Sequence, residues 1–292
     1  MAAKSKSTPS NPARRSRSSN AVAQARAHRT ARRSGPGFGK WLWDNGRSLL
    51  GALLIYLVIR TLLVEAYRIP SGSMIPTLQV GDWLFVNKLA YGPTIPFTNH
   101  HLPGYTHPHH GDVVVFESPF QQDEADSGRD PRPTLVKRLI GMPGDTIYMR
   151  NGIVYIDGIA QRQGFAAANN PKFGADDSDP HFVWEHSAEI RNTRFGAPPA
   201  QPTHDNWGPL LIPAAHYMMM GDNRYCSKDS RYWGLVPAEN VRGRPMFVYY
   251  SYVPGSQASE GIADDPCNGE TSDRPLSFIT NIRWGRIGHL IH

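Results

Sequence analysis

From Leu49 to Val64 the only charged side chain is Arg60, and this run constrains the chain more than any other part of the sequence. A helix so apolar escapes water either in a protein core or in a lipid bilayer. Its sixteen residues rise about 24 Å, short of a hydrocarbon core of about 30 Å. Trp41, Trp43 and Tyr67 flank the run as interfacial anchors, and Arg60 can extend its long side chain to the far surface. Of the 31 Lys and Arg in the 292 residues, ten lie in residues 1–40, which hold no Asp or Glu. The rest carries 21 basic against 25 acidic residues, a net charge of −4. The overall +6 is therefore not a basic folded surface, and no nucleic-acid partner is expected. By the positive-inside rule the basic tail stays cytoplasmic and residues after about 65 lie across the membrane.

Residues 1–40 are rich in Ser, Ala, Arg and Pro, which favours a disordered cytoplasmic tail, followed by a transmembrane anchor over 41–66. Three other readings compete. A buried helix of a soluble protein fits the short length. A cleaved secretory signal is countered by the lack of an A-x-A-like site directly after Val64. An organellar transit peptide, and hence an organellar membrane, fits the Arg- and Ser-rich, acid-free start and stays open.

Beyond the anchor, 27 Gly and 25 Pro in the chain indicate many turns. Short apolar runs bounded by turn residues predict strands at 83–88, 112–116, 135–140, 146–149, 153–156, 217–220 and 246–252. Asn151-Gly152 joins two alternating segments and predicts a tight hairpin, and Asp157-Gly158 a second turn. The fold class expected is mainly β: an antiparallel core of residues 67–158 and 216–292, interrupted by a β-rich insertion over 159–215. Residues 91–110 and 121–133 read as loops.

Two cysteines, Cys226 and Cys267, lack zinc-ligand spacing; a disulfide and two free thiols are both open. His100, His101, His107, His109 and His110 crowd one Pro-containing loop, but their spacing matches no closed metal site, and a solvated loop is expected.

Three blocks carry chemistry. In Ile69-Pro70-Ser71-Gly72-Ser73-Met74-Ile75-Pro76-Thr77-Leu78, small residues between prolines form a preset loop where a hydroxyl and backbone N–H groups can converge, as acyl transfer requires. In Leu135-Val136-Lys137-Arg138-Leu139-Ile140-Gly141-Met142-Pro143-Gly144-Asp145, Lys137 lies in an apolar strand where burial disfavours its ammonium form. Arg138, one residue on, points to the opposite face and can stay solvated. An edge-strand lysine that discourages aggregation is the competing account of Lys137. The third block, residues 221–234, is dense in polar side chains and includes an expected Asp229–Arg231 ion pair.

Together with Gly111-Asp112-Val113-Val114-Val115-Phe116, these ordered blocks closely resemble the bacterial type I signal peptidase family. The resemblance runs from about Leu49 to the closing Arg286-Ile287-Gly288 and Ile291-His292, and weakens in 89–110 and 159–215. It implies a Ser-Lys dyad in which Ser73 is the nucleophile and Lys137 the general base, with the Ser73 N–H and Ser71 hydroxyl as oxyanion donors. It also implies that Ser227 orients the lysine amine and that Asp229 and Arg231 support that loop. By position, Met74, Leu78, Leu135 and Val136 line one pocket for a small side chain and Tyr67, Ile69 and Val115 another. Tyr225-Cys226 stands where the family commonly has Asp-Asn, and the family's usual disulfide in the inserted region has no counterpart.

The resemblance implies a single-pass enzyme of the bacterial cytoplasmic membrane with its catalytic body on the far side. It would need no metal or cofactor, act on preprotein signal peptides, contact phospholipid, and meet the export machinery only by proximity. Trp233, Phe278 and Trp284 are expected as exposed aromatics that seat the body on the bilayer. The alternatives are a pilin- or conjugation-protein-processing peptidase of the same superfamily, and a membrane-anchored binding protein without enzymatic activity.

Overall fold

A computed structural model describes residues 38–95, 102–162, 176–190, 194–254 and 276–292. The expected tail, up to residue 37, lies outside them, as do His100, His101 and Cys267. The chain divides into two units, Met1–Ile55 and Tyr56–His292. Helix α1, Phe38–Val58, continues into a π-helical turn, Ile59–Leu63. Its Asn45–Leu63 stretch, with mean hydropathy 1.6 and none of it buried, is long and apolar enough to cross a membrane. Trp41 and Trp43 are exposed near its start.

Among the described residues, the second unit has eleven strands in two antiparallel sheets. Strands β1 (Val64–Arg68), β2 (Asp82–Asn87), β3 (Val113–Glu117), β4 (Thr134–Gly141), β9 (His216–Met220), β10 (Val236–Pro237) and β11 (Val241–Ser251) form a seven-stranded sheet in the order β1-β2-β11-β3-β4-β9-β10. In β2, buried Leu84 and Val86 alternate with half-buried Trp83 and Phe85, the period of two expected when one face is covered. From Val113 to Phe116 strand β3 is apolar because both faces are covered. Val113 and Val115 join a cluster with Ile69, Met74 and Leu78, while Val114 and Phe116 join another with Leu139 and Met219.

Strands β5 (Thr146–Arg150), β6 (Ile153–Ile156), β7 (Ile159–Ala160) and β8 (Trp207–Leu211) form a second sheet in the order β7-β6-β5-β8. Asn151 and Gly152, with φ of 49° and 74°, make the tight β5–β6 turn, and Asp157 and Gly158 make the next. The expected division at residues 159 and 215 does not follow the sheets. The 146–156 hairpin pairs with Trp207–Leu211 instead of joining the seven-stranded sheet, because the Gly141–Asp145 turn carries the chain out of it. Ile140, Met218 and Met220 from the first sheet and Ile147, Met149, Trp207 and Leu210 from the second close one core between them. The expected loop at 121–133 contains a short helix, Gln122–Asp126.

Candidate active site

Between Pro70 and Pro76 the chain makes one tight 3-10 turn, Gly72–Met74, whose Met74 is buried among Leu78, Leu84 and Val115. That anchorage holds Ser73 against β4, and Lys137 Nζ lies 2.6 Å from Ser73 Oγ. Ser73 is 7% exposed and Lys137 4%. Burial is the main force on the amine, lowering its pKa to about 8; Asp229 and Asp222 oppose the shift and Arg231 adds to it. An amine neutral near that pH can take the proton of a hydroxyl at this distance. Ser71 Oγ is 3.5 Å from Ser73 Oγ, at the mouth of an open cavity of about 450 Å³ lined in part by Ser73, Lys137, Leu135 and Trp233.

Residues 221–231 brace this pair from behind. Asn223 N–H donates to Ser73 O at 3.0 Å, and Asn223 Nδ2 to Gly72 O at 3.3 Å. A Cβ on Gly221 would stand 2.3 Å from Ser227 Oγ and 2.5 Å from Ser73 O, so only glycine allows the approach. Gly221 N–H donates to Asp229 Oδ2 at 3.1 Å. Arg231 grips both Asp229 oxygens at 2.9 Å, and both side chains are fully buried. Burial alone would raise the Asp229 carboxyl; Arg231's charge and hydrogen bonds overcome this and hold it below the usual range.

The site residues expected from sequence fall near one another, with three differences. Ser227 Oγ is buried without a hydrogen-bond partner, so the expected bond to the Lys137 amine is not made; the side chain packs against Gly221 instead. The expected pockets are not separate: Met74, Leu78, Ile69 and Val115 form one buried cluster, with Tyr67 and Val136 packed on it. Leu135 points to the other face and lines the cavity, because neighbours on a strand face opposite ways. Trp233 is partly buried, tilted against Phe116 at 5.7 Å, while Phe278 and Trp284 are exposed.

Arg138 is the residue that alternation misplaces. It is 7% exposed and forms a two-pronged pair with Asp222 at 2.7 Å on each prong. Its Nη1 donates to Gly111 O and His292 O, and Nη2 to Thr77 Oγ1, itself bonded to Asp222. Asp82, fully buried, similarly binds Arg286 and Ser251 Oγ, and Arg286 also reaches Thr77 O. The sequence signal for the first clamp was Arg138, a charged residue inside an apolar strand; Asp222 and Arg286 lie outside the strands. Cys226 is disulfide-bonded. His110 pairs with Asp145 at 2.6 Å, and among the described residues no three His, Cys, Asp or Glu side chains gather as metal ligands.

Residues 42–250 match the family model described as signal peptidase, peptidase S26. The signal peptidase I of Pseudomonas fluorescens is 35% identical over 224 residues, covering 72% of this chain and 73% of that protein. That of Pseudomonas aeruginosa is similar to the same extent. The signal peptidase I of Aquifex aeolicus is 30% identical over 269 residues, covering 81% of this chain and 93% of its own length. By the match over most of its length, the chain belongs to the signal peptidase, peptidase S26 family and is a serine peptidase.

Proposed function

We propose that this chain is a membrane-anchored endopeptidase that removes N-terminal signal peptides from exported preproteins after small residues, using Ser73 and Lys137 as a dyad. The observation that carries the reading is the 2.6 Å separation of a buried lysine amine from a serine hydroxyl at an open cavity. Ser73 Oγ attacks the scissile carbonyl as its proton passes to neutral Lys137 Nζ. The Ser73 N–H and Ser71 hydroxyl stabilise the oxyanion. Collapse breaks the C–N bond, and the Lys137 ammonium gives its proton to the leaving amine. Lys137, neutral again, then takes a proton from water, whose oxygen attacks the acyl-serine. The second collapse releases the signal peptide's carboxylate and returns the proton to Ser73.

The edge of β4 at 134–137 lies beyond its register with β9, which begins at Arg138, and can receive the substrate as an added strand. Met74, Leu78 and Val136, with Ile69, Tyr67 and Val115 behind them, make the adjacent floor apolar and closely packed, which favours small side chains before the cut. Ser227 supports the turn by packing against Gly221, and Asp229 and Arg231 brace the loop. The anchor α1 keeps the basic tail cytoplasmic and the body on the far side of the bacterial cytoplasmic membrane. There, tethering raises the effective concentration of substrates held by the same bilayer. Phospholipid is the contact surface, and the export machinery is met by proximity alone.

The test is cleavage of unrelated signal-bearing precursors by the full chain, Ser73→Ala and Lys137→Met. Both variants should fold yet lose turnover by about a thousandfold or more. The wild type's kcat/KM should fall about tenfold per pH unit below about pH 8 as the amine gains its proton. Cleavage persisting in either variant excludes the dyad, and processing confined to one precursor class excludes a general signal peptidase.

A further inference from the structure

His204, in the connection between β7 and β8, takes no part in the steps above, yet it is joined to the site through Arg231. Arg231 Nη1 donates to His204 Nδ1 at 2.8 Å. A guanidinium has only donors, so Nδ1 is the acceptor and the ring proton sits on Nε2. The buried ring stacks on Tyr225, centroids 5.3 Å apart and planes 9° from parallel, and meets Phe182 and Tyr232 at 6.1 and 6.2 Å. Three aromatic neighbours hold it in one orientation. Burial and then the Arg231 charge push the imidazole down to about 4, against Asp229, Asp176 and Asp179, so it stays a neutral acceptor near neutral pH.

Arg231 also donates to Asp229, to Arg224 O and, at 3.5 Å, to His204 O and Ser227 O, and Asp229 holds the Gly221 N–H beside Ser73 O. The two charges act oppositely on Lys137: Asp229 favours its ammonium, and Arg231 disfavours it. Asp222 acts with Asp229, and Glu185, raised to about 9 by burial, also faces Arg231. Lys137 therefore depends on where the guanidinium sits. We propose that His204 is a positioning residue for the Ser73–Lys137 pair, its Nδ1 fixing the Arg231 guanidinium that balances Asp229. The inference rests on the dyad reading and gives the β7–β8 connection, through His204, a part in tuning the site.

The test uses the full chain in detergent micelles with 13Cε-labelled lysine, comparing His204→Asn with His204→Gln. The Asn carbonyl oxygen reaches the place of Nδ1, whereas that of Gln reaches the place of Nε2. The Asn variant should titrate Lys137 at the wild-type midpoint and keep the pH profile of kcat/KM. The Gln variant should raise both by about half a pH unit or more, because Arg231 no longer offsets Asp229 in place. Equal midpoints in the two variants, whether displaced or not, overturn the proposal. If Gln fails to fold, a displaced midpoint in Asn overturns it and a wild-type one supports it. A Ser73→Ala chain that still cleaves precursor would sink the dyad, while the lysine titration would still decide whether His204 governs Lys137.

Discussion

Arg138 and Asp222 meet through two hydrogen bonds of 2.7 Å inside the β body, one residue beyond Lys137 on the same strand. The pair ties β4 to the segment after β9, and through Thr77 to the turn that carries Ser73. The 2.6 Å approach of Lys137 to Ser73 is thus fixed by ionic clamps on the neighbouring positions of both segments.

Removing one member leaves the other charged and buried. Asp222→Ala should destabilise the chain by about 3–5 kcal/mol in urea unfolding, whereas Arg138→Met with Asp222→Leu should recover much of the loss. A loss under about 1 kcal/mol in the single variant would mean that water replaces the carboxylate.

Lys137 itself should be a liability to the fold. Its pKa falls from 10.5 unfolded to about 8 folded, so the folded state binds fewer protons between those values and stability rises with pH across that window. Below about pH 8 the folded state bears the full cost of the buried ammonium. Lys137→Met should therefore be more stable than wild type by about 3 kcal/mol at pH 7, with the gap closing toward pH 10.5. Denaturant unfolding at a series of pH values measures it, and a gap independent of pH would contradict the depressed amine.

The strands were legible because their apolar residues alternate or run continuously between turn residues, and the hairpin at Asn151-Gly152 because both positions need positive φ. Ser73 and Lys137 were legible from the blocks around them. Arg138 was not: alternation says only that it faces away from Lys137, and that face is solvated only if nothing packs there. Here Asp222, 84 residues later, covers it. Strand β8 lies in the insertion expected to be β-rich, but no individual strand was legible there, since Gly208-Pro209 interrupts its apolar run; β5 pairs with it. His204 had no local signal, since its partner Arg231 lies 27 residues on.

Gly221 should tolerate no side chain. Gly221→Ala places a methyl group against Ser227 Oγ and the Ser73 carbonyl, a backbone group that cannot swing aside. Precursor cleavage should fall by at least about a hundredfold, since a displacement of about 1 Å at reacting atoms costs that much. Gly285→Ala, with nothing within 4 Å of the added carbon, is the control and should cleave as wild type. Full activity in Gly221→Ala would show that the Ser73 turn is free to shift.

Trp284 is 74% exposed, and Phe278, Ile279 and Leu290 near it in sequence are also exposed. Indole favours the bilayer interface, where its ring is partly buried and its N–H stays wet. If this segment rests on lipid, brominated acyl chains should quench Trp284 in the full chain reconstituted in vesicles. Trp284→Phe should then remove a measurable share of the quenching. Trp207→Phe should remove none, because Trp207 is buried between the sheets and brominated lipid cannot approach it. Equal quenching in wild type and Trp284→Phe would mean that the C-terminal aromatic segment stands clear of the membrane, and that α1 alone holds the enzyme there.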